Sequence, residues 1–161
     1  MADKDILAAE HIEITSATAG DLQGVLALYR ELRPNDPVML DAKAEEVWQA
    51  MTKDANCDII VAKVTQQIAS SCSLTLNTSL ANAGKPFAMI EHVITAKEHR
   101  RKGLSKKVLE HAIALAWQKG CCKIMLLSGA QLTGAHALYE SVGFKAGIER
   151  GFVLKPDLAS A

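Results

Sequence analysis

Apolar and polar residues alternate over His11–Ser16 (HIEITS), and Cys57–Val64 (CDIIVAKV) is a mostly apolar run. With their Ile, Val and Thr content, both segments are predicted strands. Thr18-Ala-Gly-Asp21 carries the residue types that start a helix. From there Leu22, Val25, Leu26, Tyr29 and Leu32 recur at helical spacing and should stop before Pro34. Leu32–Pro37 holds two prolines and reads as a loop, because each disfavours helix in the residue before it. A second helix is predicted from Asp41, with Ala44, Val47, Trp48 and Met51 on one face. Gln66 and Gln67 mark the turn of a hairpin whose second arm is Ile68–Thr78.

A loop over 81–86 leads to a strand at Phe87–Thr95, then a long amphipathic helix to about Lys119. Its stripe is Leu104, Val108, Ala112 and Leu115, with Gly120 as the stop. Cys122–Ser128 is nearly all apolar and reads as a central strand covered on both faces. A short helix at Thr133–Ser141 and a last strand within Phe144–Leu154 complete the order. Local hairpins mixed with strand–helix–strand crossovers predict an α/β (α+β) domain. The expectation is one domain over 1–161, with residues 1–9 loose and a mixed sheet of about six to seven strands flanked by helices on both faces.

Composition adds little to this picture: 49% hydrophobic and 22% charged residues describe an ordinary globular chain. Charge adds more. Eighteen basic residues balance eighteen acidic ones, which argues against a general nucleic-acid binder. The positive charge is instead concentrated between Lys97 and Lys107, with six Lys or Arg against one Glu. The four cysteines form no CxxC pair, and the five histidines form no HExxH, so no metal site is expected. The N-terminus is not a signal peptide and no apolar run reaches the roughly 20 residues of a membrane span. A cytoplasmic protein without membrane contact is the expectation.

The basic stretch Arg100-Arg-Lys-Gly-Leu-Ser105 lies between the predicted strand and the long helix. A helix start offers unsatisfied N–H groups and the positive end of the helix dipole. Gly103 lets a ligand approach the backbone, and Arg100, Arg101 and Lys102 add cationic side chains. Together they suit a phosphorylated ligand. A solvated basic helix start serving solubility explains the six residues equally well.

Arg-x-x-Gly-x-Ser resembles the Q/R-x-x-G-x-G/A motif of the GCN5-related N-acetyltransferase (GNAT) family. Ile90–Ala96 matches that family's fourth strand, and Lys119–Met125 its route into the fifth. Ala135–Phe144 (AHALYESVGF) is similar to its helical Tyr motif before Gly-Phe. The resemblance implies acetyl-coenzyme A as co-substrate. Its pyrophosphate would lie on residues 100–105, Leu104 included, and its pantetheine arm on the main chain of Val93, Ile94 and Thr95. It also implies a bulge in the strand near His92. Ser105 stands where the family has Gly or Ala, which requires a φ that serine tolerates. Leu132 stands where the family often has Asn, removing one side-chain contact.

Acetyl transfer to an amine needs a base, an oxyanion donor and a proton for the leaving thiolate. Glu91 is the first candidate base, on the expectation that its apolar strand buries it and raises its pKa. A structural Glu91 is an equal reading, and His92 is the second candidate base. The resemblance makes Tyr139 the acid, and His136 shares its helical face. Glu31, Asp36 and Asp41 bracket the 32–40 loop and could attract a cationic amine, although turn formation and capping explain Asp36 and Asp41 as well. The leading expectation is an acetyl-coenzyme A-dependent N-acetyltransferase acting by direct attack of a primary amine, on a small-molecule or peptide acceptor. A catalytically silent acyl-coenzyme A sensor and an RNA-binding module are the alternatives. Family members often dimerise, so a homodimer is one open state.

Overall fold

The structure is a computed structural model that describes residues 11–156. These fall into two compact units, divided between Leu126 and Leu127.

The first unit holds five strands: β1 (Ile12–Ser16), β2 (Cys57–Val64), β3 (Gln67–Asn77), β4 (Phe87–Thr95) and β5 (Ile124–Leu126). They stand in the sheet in sequence order. The first three pairings are antiparallel, and β4 with β5 is parallel. The β2–β3 turn sits one residue earlier than expected, at Thr65 and Gln66 rather than Gln66 and Gln67: both take positive φ (48° and 72°), which suits the right-handed twist of a tight hairpin, and Gln67 already belongs to β3.

Helices α1 (Leu22–Leu32) and α2 (Asp41–Lys53) cover one face of the sheet. Leu22, Val25, Ala44 and Trp48 pack there on Ile59 and Val61. The predicted helix start is realised as a capping box on a short 3-10 turn, Ala19–Asp21, that leads into α1. The Thr18 N–H donates to Asp21 Oδ2 at 2.7 Å, and the Thr18 hydroxyl donates to the same oxygen at 3.0 Å. Lys63 of β2 then pairs with Asp21 Oδ1 at 2.9 Å.

Helix α3 (Leu104–Gln118) crosses the opposite face against β2, β3 and β4, with Leu104, Val108, Leu109, Ala112 and Ala116 buried. It ends as expected at Gly120 (φ 78°), where the Cys121 N–H reaches back to Ala116 O at 3.1 Å. No helix among the described residues is long and apolar enough to cross a membrane.

Two expectations are corrected. The sheet has five strands rather than six to seven, because Phe144–Leu154 forms no strand among the described residues. Gly143 (φ 101°) and Gly147 (φ 77°) are left-handed and break any extended run there. Phe152 and Leu154 are 87% and 98% exposed, so no neighbouring strand covers them. In consequence β5 is an edge strand with half-buried residues, not a central one covered on both faces.

Gly24 sets how closely α1 approaches the sheet. A Cβ there would stand 2.5 Å from Ile68 Cγ1 and 2.8 Å from Ile68 Cβ. Alanine in place of a helical glycine normally gains about 1 kcal/mol. Overpacking at such a contact costs about 1–3 kcal/mol. Gly24→Ala is therefore expected to lower the melting temperature by a few degrees, measurable by calorimetry. A rise in melting temperature would show that α1 is free to lift away from β3.

Candidate active site

Strand β4 departs from regular geometry at one residue. His92 takes φ 52°, in the left-handed region, and the β3–β4 register shifts between Ser71 and Ser73. Ser73 pairs with Glu91 and Ser71 with Ile94, so His92 and Val93 together oppose Cys72. This is the bulge that the resemblance implied.

The bulge turns the His92 ring toward α1. Its centroid lies 5.0 Å from that of Tyr29, at 32° between planes. Its Nδ1 is 3.4 Å from Ser73 Oγ, a hydroxyl that also donates to Glu91 O at 3.2 Å. Burial, with Cys72, Cys57 and Glu91 nearby, pushes the Tyr29 phenol up to about 12. It is therefore a neutral hydrogen-bond donor at any working pH. Burial likewise pushes the Cys72 thiol up to about 12, which leaves it a core residue rather than a nucleophile.

Glu91 is exposed, so the burial expected to tune it is absent. Two of the acidic candidates near the loop are engaged. Glu31 Oε2 accepts the Lys97 N–H at 3.2 Å, and Asp36 pairs with Arg33. That contact with Arg33 holds the Asp36 carboxyl below its ordinary value, despite some desolvation, and the nearby His92 adds to the effect. Asp41 is the first residue of α2. Tyr29 and Ser73 were not singled out from the sequence. Tyr29 was visible only as one of the apolar stripe, and Ser73 gave no signal.

On its other edge β4 pairs with β5 only from Ala88 to Ile90. Beyond Ile90 the β5 edge supplies no ladder for Glu91–Thr95. The Ala96 N–H donates to Ala69 O at 2.9 Å, and Ile94 O accepts the Ser70 hydroxyl at 2.9 Å. Both main chains therefore face β3. The Thr95 carbonyl turns away from β3 and accepts Arg100 Nε at 3.3 Å. Of the three residues expected to offer main-chain groups, Ile94 is thus turned to β3, the Thr95 carbonyl is taken by Arg100, and Val93 lies in the bulge.

The basic turn follows. Arg101 (φ 63°) and Gly103 (φ 75°) are both left-handed, and Leu104 begins α3. The first helical bond runs from the Lys107 N–H to Gly103 O at 3.2 Å. The helix itself thus gives the amides of Leu104, Ser105 and Lys106 no acceptor. Arg100, Arg101 and Lys102 are exposed beside them. Ser105 lies inside the first turn of α3, so the left-handed residue is Gly103 and the concern over a serine at 105 disappears.

The second unit carries helix α4 (Thr133–Ser141). Tyr139 packs edge-on against Phe144, with ring centroids 6.3 Å apart at 72°. The Phe144 N–H returns to Tyr139 O at 3.1 Å, which fixes the turn after the helix. His136 Nε2 bonds Gly129 O at 2.9 Å and so ties α4 to its preceding loop.

Against known sequences, residues 25–144 match the model of the Acetyltransferase (GNAT) family. The chain belongs to that family. An Agrobacterium tumefaciens protein assigned as an acetyltransferase is 35% identical, with a TM-score of 0.85 over 89% of this chain and 99% of its own. A Bacillus halodurans transcriptional regulator is 30% identical, with a TM-score of 0.80 over 90% and 99%. The glucosamine 6-phosphate N-acetyltransferase of Trypanosoma brucei brucei is 30% identical over 82 residues, 51% of this chain. The aligned stretches span 54% of that relative and 24% of human N-acetyltransferase 8, the other curated relative.

Within this GNAT chain, the neutral Tyr29 beside His92 is directly testable. The chain has two tyrosines, so Tyr139→Phe leaves Tyr29 as the sole phenol. That variant should develop no phenolate absorbance near 295 nm up to about pH 11 while folded, whereas an exposed phenol ionises near about pH 10. A midpoint near the ordinary value would mean that Tyr29 is open to water.

Proposed function

We propose that this protein is an N-acetyltransferase that moves the acetyl group of acetyl-coenzyme A directly to a primary amine. One observation carries the reading: the pairing of β4 and β5 stops at Ile90, and the main chain beyond it leads into a helix start with three amides unmatched by the helix. An extended pantetheine arm suits the first feature and a pyrophosphate the second. Family membership and N-acetyltransferase relatives support the same chemistry.

In this reading the amine approaches from the α1 side of the bulge. His92 takes its proton, because imidazole changes charge nearer neutrality than any other side chain. Ser73 and Tyr29 hold the ring, and the exposed Glu91 on the same face attracts the cationic acceptor. The amine nitrogen then bonds to the carbonyl carbon, the carbon–sulfur bond breaks, and the nitrogen gives its second proton to water as the amide forms. The Tyr139 hydroxyl gives its proton to the departing thiolate, a role that rests on the family motif at 135–144. The acceptor is a small-molecule or peptide amine. The relative named for glucosamine 6-phosphate marks one acceptor to include in the screen.

Saturating acetyl-coenzyme A should raise the melting temperature by several degrees, since a ligand at 100 times its Kd adds about 2.7 kcal/mol. Thiol release from it should depend on an amine drawn from a library. No thermal shift and no release would sink the proposal.

His92→Gln and Tyr139→Phe should each lower kcat by about 100-fold or more while the Kd for acetyl-coenzyme A stays near that of the native chain. Glu91→Gln should act mainly on the KM for the amine. The reverse pattern, with Glu91→Gln lowering kcat and His92→Gln silent, would transfer the base to Glu91.

A further inference from the structure

Beneath the basic turn three hydroxyls form a line. Ser105 Oγ lies 2.5 Å from Thr95 Oγ1, and Thr95 Oγ1 lies 2.8 Å from Ser70 Oγ. The Ser70 hydroxyl is 2.9 Å from Ile94 O. Ser70 is 0% exposed and Thr95 8%, so the line runs from the first turn of α3 into the sheet.

The direction of this line follows from proton count, because each hydroxyl has one hydrogen. A carbonyl can only accept, so Ser70 spends its hydrogen on Ile94 O. Thr95 must then donate to Ser70, and Ser105 must donate to Thr95. The Ser105 hydroxyl therefore has no hydrogen left for a phosphate. Thr95 is tied a second time through its carbonyl, which accepts Arg100 Nε. Both ends of the basic turn, Arg100 and Ser105, are thus fastened to one strand residue.

We propose that Ser105 is a positioning residue for coenzyme pyrophosphate: its hydroxyl clamps the first turn of α3 to Thr95 and makes no phosphate contact. This rests on the coenzyme reading above. Charge-bearing ligands reward amides held in place before binding, because no ordering is then required of the turn. Aligned hydroxyls in a buried setting also strengthen one another, so the line is stiffer than three separate bonds.

The test measures the Kd of acetyl-coenzyme A by calorimetry for the native chain, Ser105→Ala, Thr95→Val, the double variant and Ser105→Thr. Ser105→Ala and Thr95→Val should each weaken binding about five- to tenfold, with a melting temperature no more than a few degrees below native because the bond also belongs to the free fold. The double variant should be no weaker than the worse single one, because both break the same contact. Ser105→Thr, which keeps the hydroxyl, should restore affinity. Losses that multiply in the double variant would assign Ser105 its own phosphate contact and overturn the clamp, and so would an unchanged Kd in Ser105→Ala. A separate arm compares the native chain on acetyl-coenzyme A and on acetyl-pantetheine, which lacks the pyrophosphate. Equal affinity there would overturn the coenzyme reading itself, whatever the variants do.

Discussion

The left-handed backbone at His92 is the constraint on which the rest of the site depends. In a regular strand the pairing of Glu91 with Ser73 would place Ile94 on the α3 face and Thr95 on the α1 face. The inserted residue reverses both. Ile94 joins Leu28 and Ala96 under α1, and Thr95 turns to meet Ser105 of α3. One non-glycine residue at positive φ costs about 1–2 kcal/mol. The packing of Ile94, the hydrogen bond of Thr95 and the stacking of His92 on Tyr29 together hold it there.

The same bulge gives the strand two edges of different character. Toward β3 the main chain stays laddered and is reinforced by Ser70 and Ser73 hydroxyls. Toward β5 pairing ends at Ile90. A strand rigid on one side and open on the other can receive an extended ligand without losing any bond of its own sheet. The basic turn continues directly from that strand, so an unpaired strand edge and helix-start amides unmatched by the helix follow one another along a single chain segment.

Much of this was legible because periodicity is a local property. The helices beginning at Asp41 and Thr133 and the strand Phe87–Thr95 start where the pattern placed them. Gly120 acts as the expected stop, because left-handed φ is a local demand as well. The segment Phe144–Leu154 was misread for the opposite reason: its apolar residues favour a strand, but a strand exists only with a partner. The edge position of β5 follows from the same omission. Glu91 looked buried among apolar neighbours, yet burial depends on what covers a face, which alternation alone does not give. The bulge came from family resemblance and not from residue preference, since nothing in Glu-His-Val demands it. The hydroxyl line was hidden because its members are separated by 25 and 10 positions and meet only through strand register.

Gly24 gains a wider meaning in this setting. The gap between α1 and the sheet is gauged by the bare backbone of Gly24 against the branched side chain of Ile68. Tyr29 rides on that same helix a turn and a half further on, and its ring meets His92. Helix clearance and the fit of the aromatic beside the bulge are therefore one dimension of the molecule. A sequence drifting toward better helix formers at position 24 would retune the fit beside the bulge along with the core.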